Sequence, residues 1–139
     1  MTGDLPSVEA PAAATAVHIG EVAARTELSL RTLRHYDEVG LVRPSGRTEG
    51  GFRLYTEADI EKVLLIRRMK PLGFTLEEMA ATLTDIESIG SPRRQHQRGS
   101  AAHERLADLL EETAGRRAKL VRQLAMADEF IDLLRSRLA

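Results

Sequence analysis

The spacing of apolar residues predicts two short helices near the start of the chain. Residues 19–25 place apolar side chains at the i, i+3, i+4 spacing of an amphipathic helix. Residues 29–36 open on a serine suited to an N-cap, and Leu30 and Leu33 form the predicted buried side of that second helix. The turn at residues 26–28 separates them. Two short helices joined in this way are typical of a helix-turn-helix.

A small β-hairpin is predicted after the second helix. Residues 41–43 and 52–55 have strand-like alternation, and the residues between them are rich in turn formers. Arg43, Arg47 and Arg53 would place three positive charges on this wing. Taken alone, each of these residues would be interpreted as an ordinary exposed arginine. Beside a helix-turn-helix, the three together indicate contacts to DNA phosphates.

Residues 56–84 are predicted to form a pair of helices that bury the back of the winged unit. Both helices begin with a capping box: Thr56 with Asp59, and Thr75 with Glu78. The winged-helix domain is therefore expected to cover residues 18–84, after a disordered leader at 1–17.

A linker and one long helix are predicted for the rest of the chain. Residues 85–100 lose apolar periodicity, and their basic run at 93–98 is either a solvated segment or a contact to DNA or a partner. Residues 101–139 contain no proline and have a heptad repeat. Its seam positions are Leu106, Leu110, Leu120, Leu124, Ile131, Leu134 and Leu138, together with Ala127 and the misfits Thr113 and Arg117.

This long helix predicts a homodimer. At roughly 1.5 Å per residue it would extend about 58 Å, too long for a small domain to cover its apolar seam. A second copy of the same helix would cover it in a coiled coil.

Composition narrows the class of protein. The chain has 139 residues, 42% of them hydrophobic and only 4% aromatic, which suits aliphatic helix packing. The net charge is −1, although residues 18–72 carry ten basic and eight acidic residues. The absence of cysteine excludes disulfides and thiolate metal sites. The chain has no apolar stretch of membrane-spanning length and no signal-peptide pattern, so we expect no membrane partner and a cytoplasmic location.

The second short helix carries the candidate chemistry. Arg31, Thr32, Arg34 and His35 lie outside its predicted apolar side, and residues 29–36 include no acid. A short helix with an apolar back and a basic, hydrogen-bonding front fits the major groove of DNA. A solvated basic face is the alternative interpretation of this segment alone.

Five sequence blocks, in order over residues 18–84, resemble the MerR family of bacterial transcriptional regulators. The long heptad helix after them is also similar to the family. The blocks are IGEVA at 19–23, TLRHYD at 32–37, VGL at 39–41, GFRLY at 51–55 and LGFTLEE at 72–78.

The resemblance implies a mainly α fold: a winged helix-turn-helix head with a small β-hairpin wing, a helical pair, and a C-terminal antiparallel coiled coil in a homodimer. It also implies a near-palindromic operator in double-stranded promoter DNA, between the −35 and −10 elements. Bending and untwisting of this spacer would let RNA polymerase, a further implied partner, engage both elements.

The resemblance also assigns residues to DNA. It implies that Arg31 and Thr32 read base edges, and that His35 stands where an aromatic residue is common. The implied phosphate contacts are Ser29, Arg34, Tyr36, Arg53 and Tyr55, with Arg43 assisting.

No cofactor, metal or catalytic site is predicted. His96 and His103 straddle Gly99 without a further ligand nearby, and no catalytic constellation is present. The effector stays open, as does the choice between activator and repressor. Two other functions also remain open: an architectural or excisionase-like DNA-bending protein, and a protein-interaction module that uses the heptad helix.

Overall fold

The computed structural model describes residues 16–90 and 100–139, which form two compact units divided between Leu83 and Thr84. The mainly α fold with a winged helix-turn-helix is confirmed. The helices are α1 (Ile19–Thr26), α2 (Leu30–Glu38), α3 (Glu57–Met69), α4 (Leu76–Gly90) and α5 (Ala101–Leu138), and the strands are β1 (Val17–His18), β2 (Gly46–Arg47) and β3 (Arg53–Tyr55).

The helix-turn-helix is formed by α1 and α2. Val22 and Leu33 are buried, and Thr26 is buried with its hydroxyl donating to the Val22 carbonyl at 2.7 Å. Glu27 adopts a left-handed backbone conformation, with φ of 61°, and so ends α1. The turn therefore lies at Glu27–Ser29, one residue later than predicted.

The buried side of α2 also differs from the prediction. Leu33 and Tyr36 are buried, whereas Leu30 is 38% exposed. Leu30 is the first residue of α2, where the helix leaves the turn. The apolar contact of α2 therefore depends on Leu33 and Tyr36 rather than on Leu30 and Leu33.

The three strands form an antiparallel sheet in the order β1-β3-β2. Val17 in β1 lies opposite Tyr55, and Arg47 in β2 lies opposite Arg53. The predicted leader at 1–17 thus included a residue of the sheet. Residues 1–15 of that leader lie outside the described part of the chain.

The strand predicted at residues 41–43 was wrong. The N–H groups of Leu41 and Val42 both donate to the Tyr36 carbonyl, at 2.8 and 3.2 Å. They close the C-terminus of α2 and cannot join a strand ladder. Both side chains are buried, which is incompatible with the alternation of a half-buried strand. The first wing strand is Gly46–Arg47 instead.

The capping box that begins α3 is confirmed. The Asp59 N–H donates to Thr56 Oγ1 at 3.2 Å, and the Thr56 N–H donates to Asp59 Oδ2 at 3.0 Å. The Ser45 N–H also donates to Asp59 Oδ2, at 3.0 Å. Asp59 therefore fixes both the start of α3 and the chain entering the wing.

A short 3-10 helix at Lys70–Leu72 and a left-handed Gly73, with φ of 89°, connect α3 to α4. The second capping box is confirmed as well: the Thr75 N–H donates to Glu78 Oε1 at 2.8 Å, and the Glu78 N–H donates to Thr75 Oγ1 at 3.1 Å. Gly73 allows the sharp reversal because it has no Cβ to strain the left-handed conformation.

The linker predicted at 85–100 begins too early, because α4 continues through Gly90. Asp85 of α4 is buried and accepts two hydrogen bonds from Arg105 of α5, at 2.9 and 2.8 Å. This ion pair packs the end of α4 against α5, a long-range contact that the apolar periodicity of the sequence does not show. Residues 91–99, with the basic run at 93–98, lie outside the described chain.

The long predicted helix is confirmed as α5, with 38 residues. The Ser100 hydroxyl caps it by accepting the His103 N–H at 3.2 Å. At 1.5 Å per residue, α5 is about 57 Å long. Among residues 16–90 and 100–139, no helix combines the length and apolar character needed to cross a membrane.

Candidate nucleic-acid interface

The N-terminus of α2 is organised by Ser29. Its Oγ accepts the Thr32 N–H at 3.0 Å and lies 2.8 Å from Thr32 Oγ1. The predicted N-cap is therefore confirmed, and the hydroxyl pair restrains the Thr32 side chain on the first turn. The free N–H groups of such a turn favour anions nearby.

Three basic side chains project from α2. Arg31, Arg34 and His35 are exposed, and Thr32 is half-buried. Within the described residues, neither the Arg31 side chain nor the Arg34 side chain makes a hydrogen bond or ion pair. Their guanidinium groups are therefore free to bind an incoming anion without breaking an internal contact.

Two arginines outside α2 are paired with acids of the first unit. Arg25 donates to both carboxylate oxygens of Glu57, at 2.8 and 2.9 Å, and Arg67 pairs with Glu27. The hydrogen bond from Arg25 lowers the pKa of the Glu57 carboxyl. These contacts join α1 and the turn after it to α3, and they distinguish structural arginines from the unpaired ones on α2.

Arg43 lies beside the C-terminus of α2. Its side chain is exposed, and its Nη2 would lie 3.1 Å from a Cβ built on Gly40. Gly40 has a φ of 79°, the left-handed conformation that ends α2. Glycine at this position therefore serves two purposes, since it allows the turn and leaves room for the Arg43 guanidinium.

Arg53 and Arg47 of the wing are both bound to Asp37 of α2. Arg53 Nε donates to Asp37 Oδ2 at 2.7 Å, and Arg47 Nη2 donates to the same oxygen at 3.2 Å. The hydrogen bond from Arg53 to Asp37 raises the pKa of Arg53. The sequence predicted Arg53 as a phosphate contact, but its Nε is committed to an internal carboxylate.

Tyr36 and Tyr55 occupy the core rather than the surface. Both hydroxyls are buried and lack a hydrogen-bond partner in the described structure, and burial raises the pKa of Tyr55. Lys70 Nζ lies 5.9 Å from the centre of the Tyr36 ring. Direct phosphate contacts were predicted for both tyrosines; both hydroxyls are buried in this structure, so such a contact would require the surrounding residues to move.

Sequence reasoning missed two residues of this surface. Asp37 joins α2 to the wing, as described above, and Phe52 is 67% exposed on the wing. The available signals were an acid that directly follows the basic part of α2, and an aromatic residue directly after two glycines. Neither signal indicates a partner without the tertiary structure.

The predicted seam of α5 is exposed over most of its length in the single chain. Among the seven large apolar residues of the seam, Leu106 is partly exposed and six are exposed: Leu110, Leu120, Leu124, Ile131, Leu134 and Leu138. A row of large apolar side chains in water is typical of a surface that binds another protein.

The described residues contain no group of three or more His, Cys, Asp or Glu side chains arranged to hold a metal ion. His103 is exposed on the first turn of α5, and His96 lies outside the described part.

Comparison with known proteins identifies related sequences over the first unit. Residues 17–86 match the family described as MerR HTH family regulatory protein. The HTH-type transcriptional activator TipA of Streptomyces coelicolor is 41% identical over 85 residues, which cover 60% of this chain and 34% of TipA. The HTH-type transcriptional regulator ZntR of Escherichia coli is 42% identical over 66 residues, covering 48% of this chain and 47% of ZntR. The chain thus spans between a third and a half of these relatives.

Solved structures are similar over more of the chain. HiNmlR, a MerR family regulator lacking the sensor domain and bound to promoter DNA, has a TM-score of 0.57 and 25% identity, covering 89% of this chain and 88% of HiNmlR. PbrR691 from Ralstonia metallidurans, in complex with lead(II), has a TM-score of 0.52 and 28% identity, with 86% of each chain covered.

Proposed function

Because the chain belongs to the MerR family of helix-turn-helix regulatory proteins, we propose that it is a homodimeric transcriptional regulator that binds a near-palindromic promoter operator. The observation that carries the proposal is the free basic face of α2. It combines a capped N-terminus with exposed arginines that have no internal partner among the described residues.

In this proposal α2 enters the major groove. Arg31 reads a base edge, where a guanidinium donates two hydrogen bonds to guanine, and Thr32 contacts a neighbouring base. The buried Leu33 and Tyr36 hold the opposite side of α2 against the domain, so its exposed side keeps one orientation. A rigid support of this kind favours specific recognition, because little order must be gained on binding.

Phosphate contacts flank the base contacts. Arg34 and Arg43 are exposed and unpaired in the described structure, and His35 adds a donor beside them. Ser29 contributes through the capped helix terminus, where free backbone N–H groups favour a phosphate. Arg53 contributes mainly by positioning the wing. Tyr36 and Tyr55 are left out of the contact set because their hydroxyls are buried.

Homodimerisation through α5 is the second part of the proposal. Two antiparallel copies would bury the exposed seam and relate two heads by a two-fold axis. A two-fold protein matches a near-palindromic site, because each α2 reads the same half-site. The similarity to HiNmlR, whose structure was solved on promoter DNA, supports promoter DNA as the target.

Deformation of promoter DNA is the third part. Phosphate contacts on both sides of a dyad would let the dimer bend and untwist the spacer between the −35 and −10 elements, so that RNA polymerase engages both.

A selection on genomic DNA tests the proposal. The purified protein is mixed with sheared DNA of the source organism, and the retained fragments are sequenced. We expect enrichment of inverted half-sites within promoter spacers. Enrichment at recombination sites would instead indicate an architectural DNA-bending protein. An absence of any enriched sequence would contradict the proposal and favour a protein-interaction module.

A further inference from the structure

We propose that Asp37 is a positioning residue that holds the wing in a fixed orientation to α2, so that both elements meet DNA together. This inference rests on the proposed function for its consequence in DNA binding. The bridge itself is a property of the free protein and is tested separately below.

The bridge consists of one carboxylate and two arginines from adjacent strands. Arg47 and Arg53 lie directly opposite each other in the β2–β3 pair, and both donate to Asp37 Oδ2. Arg47 Nη1 also donates to the Gly51 carbonyl at 3.2 Å. The Asp37 carboxylate is therefore connected to both strands of the wing and, through Arg47, to its turn.

Two features indicate that this contact is strong. Hydrogen bonds between charged groups are stronger than neutral ones, and the 2.7 Å bond from Arg53 is short. The side chain of Asp37 is only 12% exposed and that of Arg53 only 23%, so solvent screens their contact less than it screens a surface ion pair.

The two arginines also need a carboxylate between them. Like charges directly opposite each other on neighbouring strands destabilise a sheet. Asp37 replaces this repulsion with two attractive contacts. Without it, the paired strands would be expected to separate at the wing or to turn one arginine into solvent.

The negative charge of Asp37 provides the sharpest test of the positioning role, because two explanations predict opposite effects of Asp37→Asn on DNA binding. A carboxylate near DNA repels phosphate, so electrostatics alone predicts that Asp37→Asn strengthens DNA binding. The positioning role predicts the opposite sign for a specific site. Glu38→Gln is the matched control, because Glu38 is the next residue of α2, is exposed, and its carboxylate makes no hydrogen bond or ion pair with the described residues. Glu38 raises the pKa of Arg53 only through its charge and less than Asp37 does, so the control removes an equal charge while it keeps the hydrogen bonds of the bridge.

The probe is the duplex most enriched by the wild-type protein from a random-sequence library, with a scrambled duplex of equal length for comparison. We expect Asp37→Asn to bind the enriched duplex about tenfold more weakly than Glu38→Gln, the loss associated with a charged hydrogen bond. On the scrambled duplex the two variants should bind equally. Asp37→Asn binding the enriched duplex as tightly as Glu38→Gln would overturn the positioning role.

Amide hydrogen exchange in the free protein tests the bridge without DNA. The Thr48 N–H donates to the Phe52 carbonyl and the Gly51 N–H to the Thr48 carbonyl, both at 2.9 Å. We expect both amides to exchange at least about fivefold faster in Asp37→Asn, and at the wild-type rate in Glu38→Gln. Unchanged exchange in Asp37→Asn would overturn the bridge.

These two measurements separate the inference from the proposed function. If the library yields no enriched duplex, the proposed function fails, and the exchange rates alone then support or overturn the bridge. Tyrosine fluorescence monitors folding in every variant, because both tyrosines of the chain are buried in the first unit.

Discussion

The exposed seam of α5 makes a quantitative prediction about assembly: Leu124→Asp combined with Ile131→Asp should yield a monomer. In the single chain these two side chains are 62% and 43% exposed. Coiled-coil pairing would therefore remove about half of each side chain from water. Full burial of such a residue contributes about 1.5–3 kcal/mol, so each contributes about 1 kcal/mol to pairing.

A symmetric dimer contains four of these side chains. Their loss should weaken association by about 4 kcal/mol, which raises the dissociation constant about a thousandfold. The four introduced carboxylates would also lose hydration and repel one another in the seam, which acts in the same direction. A dimer stable at micromolar concentration would then dissociate fully.

Sedimentation equilibrium over a range of concentrations measures this change directly. Ala118→Asp combined with Ala125→Asp is the matched control, because these alanines are also seven residues apart, are exposed, and lie outside the seam. We expect twice the monomer mass for wild type and control, and the monomer mass for the seam variant. An unchanged mass for the seam variant, or equal dissociation of both variants, would refute the coiled-coil reasoning.

Two further predictions concern stability. Ser29→Ala should lower the free energy of unfolding of the first unit by about 1 kcal/mol, because the Thr32 N–H loses its cap, whereas Ser29→Asp should retain it. Equal stability of the two variants in urea, followed by tyrosine fluorescence, would contradict the cap. The hydrogen bond from Arg105 lowers the pKa of the Asp85 carboxyl from its ordinary 3.8. This ion pair should therefore stabilise the fold above about pH 4, and the stabilisation should be lost as the pH falls through the lowered pKa. The stability gap between wild type and Arg105→Met, followed by circular dichroism, should therefore be large at pH 7 and shrink toward pH 2; a constant gap would contradict it.

The elements governed by local chemistry could be predicted from the sequence. The cap at Ser29 and the boxes at Thr56 and Thr75 each depend on residues three apart, which a sequence displays directly. The long helix α5 could also be predicted, because it has no proline and a regular apolar repeat.

The errors arose where a distant residue decides the structure. Residues 41 and 42 have strand-like composition, yet their amides are bound to the carbonyl at Tyr36. The phosphate roles expected of Tyr36 and Tyr55 come from the resemblance to the MerR family, whereas the burial of both side chains follows from the packing of the whole unit. From the sequence, Arg53 is a cation available for a phosphate, whereas in the structure its Nε donates to Asp37.

The base preference of Arg31→Ala tests most directly the claim that α2 reads DNA. We expect this variant to bind the enriched duplex about 1–3 kcal/mol more weakly and to lose discrimination at one base pair in each half-site. Arg122→Ala, which removes the same charge from an exposed position of α5, should retain wild-type preference. Equal weakening by Arg31→Ala on enriched and scrambled duplexes, with preference unchanged, would contradict base reading by α2.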